Sequence, residues 1–356
     1  MSTIKLDITT IFEKIEKYIS HSYIPYIMGP SGVGKTDMSE QLAKRKGWEF
    51  RSYNCTYADF ADWGLYVKTT KKIHEVRAED FEDTVSVNVD SKGTYEVVEA
   101  IIPEHMDWLF NAEKPTLVLV DELPLAPEII QGNLMAVFNE RHIRGRKISD
   151  NIHFIVAGNR PQDRVGGSPL KWPLLSRMAI FEAKCGPKYV ESWADHAIRK
   201  GIHPLYVSII RDNPDILTNA KPNTVGDKGG DPRAWFKALS LLTEFGEDSD
   251  VLASMVGEDN TIQFMGALDI RKDFPSIEDV LKNPSSFTPS TDRMDLNYAF
   301  GSALAYYATE DNFSSILDVA SRLPKELRVR IAKDCGLRNK DLTNLPIYFQ
   351  FILDNN

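Results

Sequence analysis

A chain of 356 residues, 42% of them hydrophobic, has the length of about two domains and enough apolar material for a substantial core. A formal net charge of −9 argues against a protein whose main business is coating nucleic acid or an anionic membrane. Cys55, Cys185 and Cys335 stand far apart without CxxC spacing, which indicates neither a zinc site nor a disulfide framework. The stretch MSTIKLDITT lacks the basic-then-apolar layout of a secretory signal, and no apolar run approaches the roughly 18 residues of a membrane helix, so the expectation is a soluble cytoplasmic protein.

Along the chain, Ile8, Ile11, Phe12, Ile15, Tyr18 and Ile19 recur at helical spacing, with Thr10 and Glu13 fitting a capping box. The apolar run Tyr23 to Met28 predicts a strand entering Gly29 to Thr36, GPSGVGKT, which fits the phosphate-loop pattern of a glycine, four spacers and Gly-Lys-Thr. Glycines at Gly29 and Gly34 let the backbone curl until its N–H groups point inward at phosphate oxygens. Lys35 would reach the outer phosphates and Thr36 would ligate magnesium. Thr36 to Lys46 predicts a helix ending at Gly47, which sets the phosphates at a positive helix end.

Trp48 to Asn54 alternates as a strand, and Ala58 to Gly64 is a polar and aromatic loop. Thr84 to Asp90 and Thr94 to Val98, split by Ser91-Lys92-Gly93, predict an inserted β-hairpin, and Pro103 to Asn111 returns to helix. Thr116 to Leu123, TLVLVDEL, is a buried strand ending in adjacent acids, and ligands collect at the carboxyl ends of parallel strands. Asp121 would hold magnesium there through water, and Glu122 would orient and polarise an attacking water.

Pro127 to about Arg141 predicts a helix, followed by a basic turn, His142 to Asp150, read as a second small hairpin that faces either solvent or a substrate channel. His153 to Ala157 is another buried strand, and Asn159 at its tip can hydrogen-bond both a terminal phosphate and the attacking water. Gln162 to Ser168 is loop, and Met178 to Ala183 predicts the final sheet strand. Beyond Gly186 helices dominate: Lys188 to Lys200, Pro204 to Asn213, Arg233 to Phe245 and Val251 to Leu268 with a glycine interruption. Lys221 to Gly230 is a loop, and Asp231-Pro232 caps and starts the next helix. The tail predicts helices around Asp295 to Tyr307 and Leu327 to Asp334.

Six motifs in this order, GPSGVGKT, LVLVDEL, FNERHI at Phe138, AGNRP at Ala157, PLLSRM at Pro173 and DPRAW at Asp231, resemble AAA+ ATPases of the MoxR type over about Ile8 to Glu244. The resemblance implies a P-loop NTPase α/β fold, a parallel sheet with flanking helices, plus a helical lid. It implies ATP and Mg²⁺ as cofactors, Gly29, Pro30, Ser31, Gly32, Val33, Gly34, Lys35, Thr36 and Asp37 as the nucleotide-binding set, and Thr36 and Asp121 as the metal pair. Carried over by position, Lys35, Glu122 and Asn159 are catalytic, with Asn159 the first sensor, Arg233 the second and Arg177 a finger reaching the neighbouring subunit. The solvated-surface alternative stands for each lone arginine, Arg141 is a second candidate for an intersubunit contact, and Ser176 stands where the family usually has Asp.

The expected organisation is an α/β domain over 1–185, a helical lid over 186–275 and a C-terminal helical extension over 276–356. The resemblance implies a homo-oligomeric, hexameric ring that remodels a protein client, such as one with a von Willebrand A domain, and engages neither membrane nor nucleic acid. A nucleic-acid motor or restriction-type NTPase, the ATPase subunit of a metal chelatase, and a nucleotide-gated scaffold are the alternatives.

Overall fold

The computed structural model describes residues 4–20, 22–57, 69–73, 84–89, 95–99, 104–143, 146–163, 169–220, 229–270 and 274–355. The chain divides into two compact units, Met1–Lys184 and Cys185–Asn356. The sequence-predicted loop at 58–64 lies outside the described residues, as do 164–168 of the loop predicted at 162–168 and 221–228 of the one predicted at 221–230.

The first unit is built on a six-stranded parallel sheet. Its strands are β1 (Ile4–Asp7), β2 (Pro25–Gly29), β3 (Glu49–Asn54), β7 (Thr116–Asp121), β10 (Ile152–Asn159) and β11 (Ala179–Lys184), in the spatial order β1-β11-β2-β10-β7-β3. The helices α1 (Ile8–Tyr18), α2 (Lys35–Lys46), α3 (Trp108–Asn111), α4 (Glu128–Glu140) and α5 (Trp172–Leu175) accompany it. Leu117, Val118, Leu119 and Val120 of β7 are fully buried, as a strand covered on both faces requires. Register matters most at the carboxyl ends. Val156 of β10 lies opposite both Tyr26 of β2 and Val120 of β7, Asn159 lies opposite Gly29, and Asn54 opposite Asp121. The tips of four neighbouring strands therefore meet at one edge.

Several expectations shift at element ends. Helix α1 starts at Ile8 and is capped not by the Thr10–Glu13 box but by Asp7, whose carboxylate accepts the Thr9 N–H at 2.9 Å. Asp7 stands at the corner between β1 and α1, where a negative oxygen meets the positive helix end. Strand β1 alternates apolar and polar as Ile4-Lys5-Leu6-Asp7, but four residues running straight into a helix are too short a run to stand out from the helical spacing that follows. The stretch ending at Asn111 is a 3₁₀ turn, Glu104–Met106, followed by the single turn of α3, not one helix. The inserted hairpin forms as β5 (Thr84–Val89) and β6 (Tyr95–Glu99), and a further strand, β4 (Thr69–Ile73), pairs antiparallel with β6 to make a three-stranded sheet. The basic turn carries a two-residue ladder, β8 (His142–Ile143) against β9 (Arg146–Lys147).

The second unit is helical: α6 (Pro187–Arg199), α7 (Pro204–Asp212), α8 (Pro232–Phe245), α9 (Ser249–Val256), α10 (Glu258–Asp269), α11 (Ile277–Lys282), α12 (Met294–Tyr306), α13 (Phe313–Arg322), α14 (Lys325–Arg338) and α15 (Pro346–Asn355). Asp231 caps α8 by accepting the Arg233 and Ala234 N–H groups at 2.9 and 3.0 Å, and the left-handed Gly257 divides α9 from α10. Helices α6, α7 and α14 are joined by charge. Arg211 donates to both oxygens of Asp334 at 3.1 and 2.8 Å and to Asp195 at 3.2 Å, with the Arg211 and Asp334 side chains 3% and 2% exposed. A buried ion pair whose one partner is deleted strands the other, so Arg211→Ala is expected to cost about 3–5 kcal/mol in denaturant unfolding, far more than an exposed arginine would.

His203 caps α7, its Nδ1 accepting the Leu205 N–H at 3.1 Å, while its ring stacks on Tyr306 with centroids 4.0 Å apart. Burial, and then the charge of Arg338, lower its pKa from 6.5 to about 4. The native state thus holds His203 neutral while the unfolded chain protonates it near 6.5, so its contribution is present above that value and is lost as pH falls towards 4. Between pH 7 and pH 4 unfolding free energy should fall by about 3 kcal/mol more in the wild type than in His203→Asn, measured by urea titration at each pH.

Candidate active site

The loop after β2 is shaped by where side chains are absent. Gly32 and Gly34 adopt left-handed backbone at φ 71° and 87°, which curls the chain back before α2 begins. Gly34 is also the N-cap of α2 and offers no capping oxygen, so no side chain covers the first amides of that helix. At Gly29 a Cβ would stand 3.0 Å from the Cβ of Ala183, so a side chain there would press β11 back by a few tenths of an ångström.

Lys35 is 7% exposed, and its chain turns back over the loop. Its Nζ donates to the carbonyls of Gly29 at 3.2 Å and Pro30 at 2.9 Å and to Asn159 Oδ1 at 3.2 Å. Asn159 Nδ2 donates in turn to Glu122, at 3.1 Å to Oε1 and 3.4 Å to Oε2. Alongside, the Thr36 hydroxyl donates to Asp121 Oδ2 at 3.1 Å, and the other Asp121 oxygen accepts the Glu122 N–H at 3.0 Å. The structure thus brings together Lys35, Thr36, Asp121, Glu122 and Asn159, which are up to 124 positions apart in sequence.

Glu122 has φ 54°, a left-handed conformation that among the described non-glycine residues recurs only at Arg141. It ends β7 abruptly and swings the chain into the 3₁₀ turn Leu123–Leu125, which packs on β10. Below the acids sits Cys55, at the end of β3 and 1% exposed. Burial, with the charges of Asp121 and Glu122, pushes its thiol up to about 12, so it remains a neutral group against the carboxylates. The sequence indicates only that Cys55 belongs to no zinc site or disulfide framework; the pairing of Asn54 with Asp121 reveals its position.

The arginines are arranged differently. Arg177 follows α5, and its Nη1 donates to the Pro173 carbonyl, which also accepts the Ser176 hydroxyl at 2.9 Å. Its buried Nε finds no partner among the described residues. Arg233 is exposed in the first turn of α8, in the second unit. Arg141 turns inward: Nη2 donates to the Ser149 carbonyl at 2.6 Å and the guanidinium lies 5.7 Å from the Phe154 ring centroid, both contacts within the first unit.

The Thr36 and Asp121 oxygens suit magnesium, which takes hard oxygen donors and typically only one or two from protein, with phosphate and water completing its octahedron. The loop amides and Lys35 suit the phosphates themselves. No known family profile matches the chain, and no curated protein matches it. Among solved structures the chain is similar to NtrX from Brucella abortus, at 14% identity over 99% of this chain and 69% of that one, with a TM-score of 0.39. A RuvB variant from Thermotoga maritima has 14% identity over 78% of this chain and 74% of that one, also at 0.39. The site's own geometry carries the functional conclusion.

Cys55 and Cys335 are buried at 1% and 0% exposure, whereas Cys185 is half-buried. A thiol-titrating disulfide reagent should therefore modify one thiol rapidly in the native protein and all three after denaturation; Cys55 reacting as fast as Cys185 would contradict its place beneath the acids.

Proposed function

We propose that the chain is an ATP hydrolase of the AAA+ type, resembling the MoxR branch, that works in the cytoplasm as a homo-oligomeric, hexameric ring and uses turnover to remodel a protein partner. The observation that carries the hydrolase reading is the unbroken set of hydrogen bonds from Lys35 through Asn159 to Glu122, beside the Thr36–Asp121 pair. These groups match the tasks of phosphoryl transfer: a cation and amides for the phosphates, an oxygen pair for magnesium, and a carboxylate for water.

On this reading Lys35 exchanges the Gly29 and Pro30 carbonyls for phosphate oxygens, and the backbone N–H groups of Gly32 to Thr36, within the loop Gly29 to Asp37, surround the chain of phosphates. Thr36 and Asp121 would hold magnesium, whose chemistry there would be to neutralise charge on the phosphates. Glu122 accepts a proton from the attacking water as the water oxygen bonds to the terminal phosphorus and the bond from that phosphorus to the leaving ADP oxygen breaks. Asn159 keeps water and phosphate in line from its place between Lys35 and Glu122. Arg177 from one subunit neutralises charge on the neighbour's transferring phosphoryl, and Arg233 acts as the second sensor. The partner class, a protein such as one with a von Willebrand A domain, follows from the resemblance.

Phosphate release, nucleotide binding and native mass, measured together in magnesium and ATP, test this. Lys35→Ala should lose ATP binding. Glu122→Gln should bind ATP and assemble while turnover falls by about 100-fold or more. Arg177→Ala should bind ATP yet hydrolyse it no faster than unassembled protein. Hydrolysis by a monomer with Arg177→Ala silent would overturn the ring reading, and salt-sensitive stimulation by DNA would favour a nucleic-acid motor instead.

A further inference from the structure

The bond between Asn159 and Glu122 joins two strand tips, and its length is set by what separates them. Glu122 leaves β7 in left-handed conformation and the next residues fold back onto β10 as the turn Leu123–Leu125. Pro124, buried in that turn, lies over Gly158, the residue before Asn159. A Cβ built on Gly158 would stand 2.7 Å from Pro124 Cδ, 3.0 Å from Pro124 Cγ and 3.3 Å from the Tyr26 hydroxyl. Carbon atoms in good contact are about 3.5–4.0 Å apart, so the backbone of β10 and the proline ring approach by about a methyl group closer than any side chain permits.

We propose that Gly158 and Pro124 are positioning residues that set the Glu122–Asn159 geometry for hydrolysis. The inference rests on the ATPase reading. Position 158 has an extended-strand place in register with Met28, so glycine is not required there for backbone freedom; the close approach of the proline ring is what requires it. The ring cannot yield by rotation, because its Cγ and Cδ are fixed in the backbone cycle. Tyr26 closes the other side. A methyl at 158 must lift the turn by about 1 Å to regain ordinary contact. The turn begins one residue after Glu122, so the carboxylate moves away from the Asn159 amide. A displacement of about 1 Å in a reacting arrangement is worth about 100-fold in rate. Lys35, the loop glycines and the Thr36–Asp121 pair lie outside this contact, so binding of nucleotide stays intact.

The test compares wild type, Gly158→Ala, Pro124→Ala and the double variant by ATP turnover, affinity for a fluorescent ATP analogue, and thermal melting. Gly158→Ala should lose about 10- to 100-fold in kcat with KM and analogue affinity within about 2-fold. Pro124→Ala, which removes the crowding Cγ and Cδ, should lose less on its own, and the double variant should regain most of the rate lost in Gly158→Ala. That rescue is the readout a merely structural role would not give. An active wild type with full turnover in Gly158→Ala overturns the inference alone. So does a loss of kcat, affinity and melting temperature together that Pro124→Ala does not relieve. A wild type that binds no ATP and releases no phosphate overturns the functional reading, and this inference with it.

Discussion

Lys35 is a charged side chain held 7% exposed, and a buried cation must find oxygen on all sides or forfeit its charge. In this molecule the oxygens are the carbonyls of Gly29 and Pro30 and the amide oxygen of Asn159. Satisfying that constraint dictates much of the first unit. The loop must curl far enough to present its own carbonyls to a residue five and six positions later, which the left-handed Gly32 and Gly34 make possible. Strand β10 must lie beside β2 so that its tip reaches Lys35, and the pairing of Asn159 with Gly29 provides this.

The same asparagine carries the constraint across to the acids, since its amide nitrogen is committed to Glu122 while its oxygen is committed to Lys35. For the carboxylate to be there, β7 must stop at Asp121 and the next residue must adopt a left-handed backbone, a conformation that costs an L-residue about 1–2 kcal/mol. Strain of this kind persists only where neighbours impose it. Here they are the turn over Gly158, the N–H of Glu122 bonded to Asp121, and the neutral Cys55 below. Cation, amide and carboxylate thus form one hydrogen-bonded network with Asn159 at its centre.

Much of the candidate site is legible in the sequence because the residue types that phosphate binding would need stand at fixed local spacings. GPSGVGKT and LVLVDEL are each compact enough to be read as a local pattern, and the helices from α6 to α8 declare themselves by apolar spacing and by the Asp231-Pro232 start. Features set by distant parts of the chain were not legible. The alternation Ile4-Lys5-Leu6-Asp7 is too short to mark β1 until it meets β11, and Asp7 becomes a cap only because that strand turns directly into α1. Cys55 looks incidental until Asn54 pairs with Asp121. Glycine before Asn159 and proline after Glu122 were both visible, yet their contact is a consequence of sheet order, which no local pattern encodes. Helix α13, with Phe313, Ile316, Leu317 and Ala320 on its buried side, had the spacing to be found and was missed beside the longer α12 and α14.

The most direct measurement of the central claim is the structure of the Glu122→Gln protein with ATP and magnesium bound. The account predicts phosphates against the amides of Gly32 to Thr36, Lys35 Nζ withdrawn from the Gly29 and Pro30 carbonyls and bonded to phosphate oxygen, and the metal at Thr36 and Asp121. A nucleotide held elsewhere, or Lys35 still on its own loop carbonyls beside a bound phosphate, would contradict it.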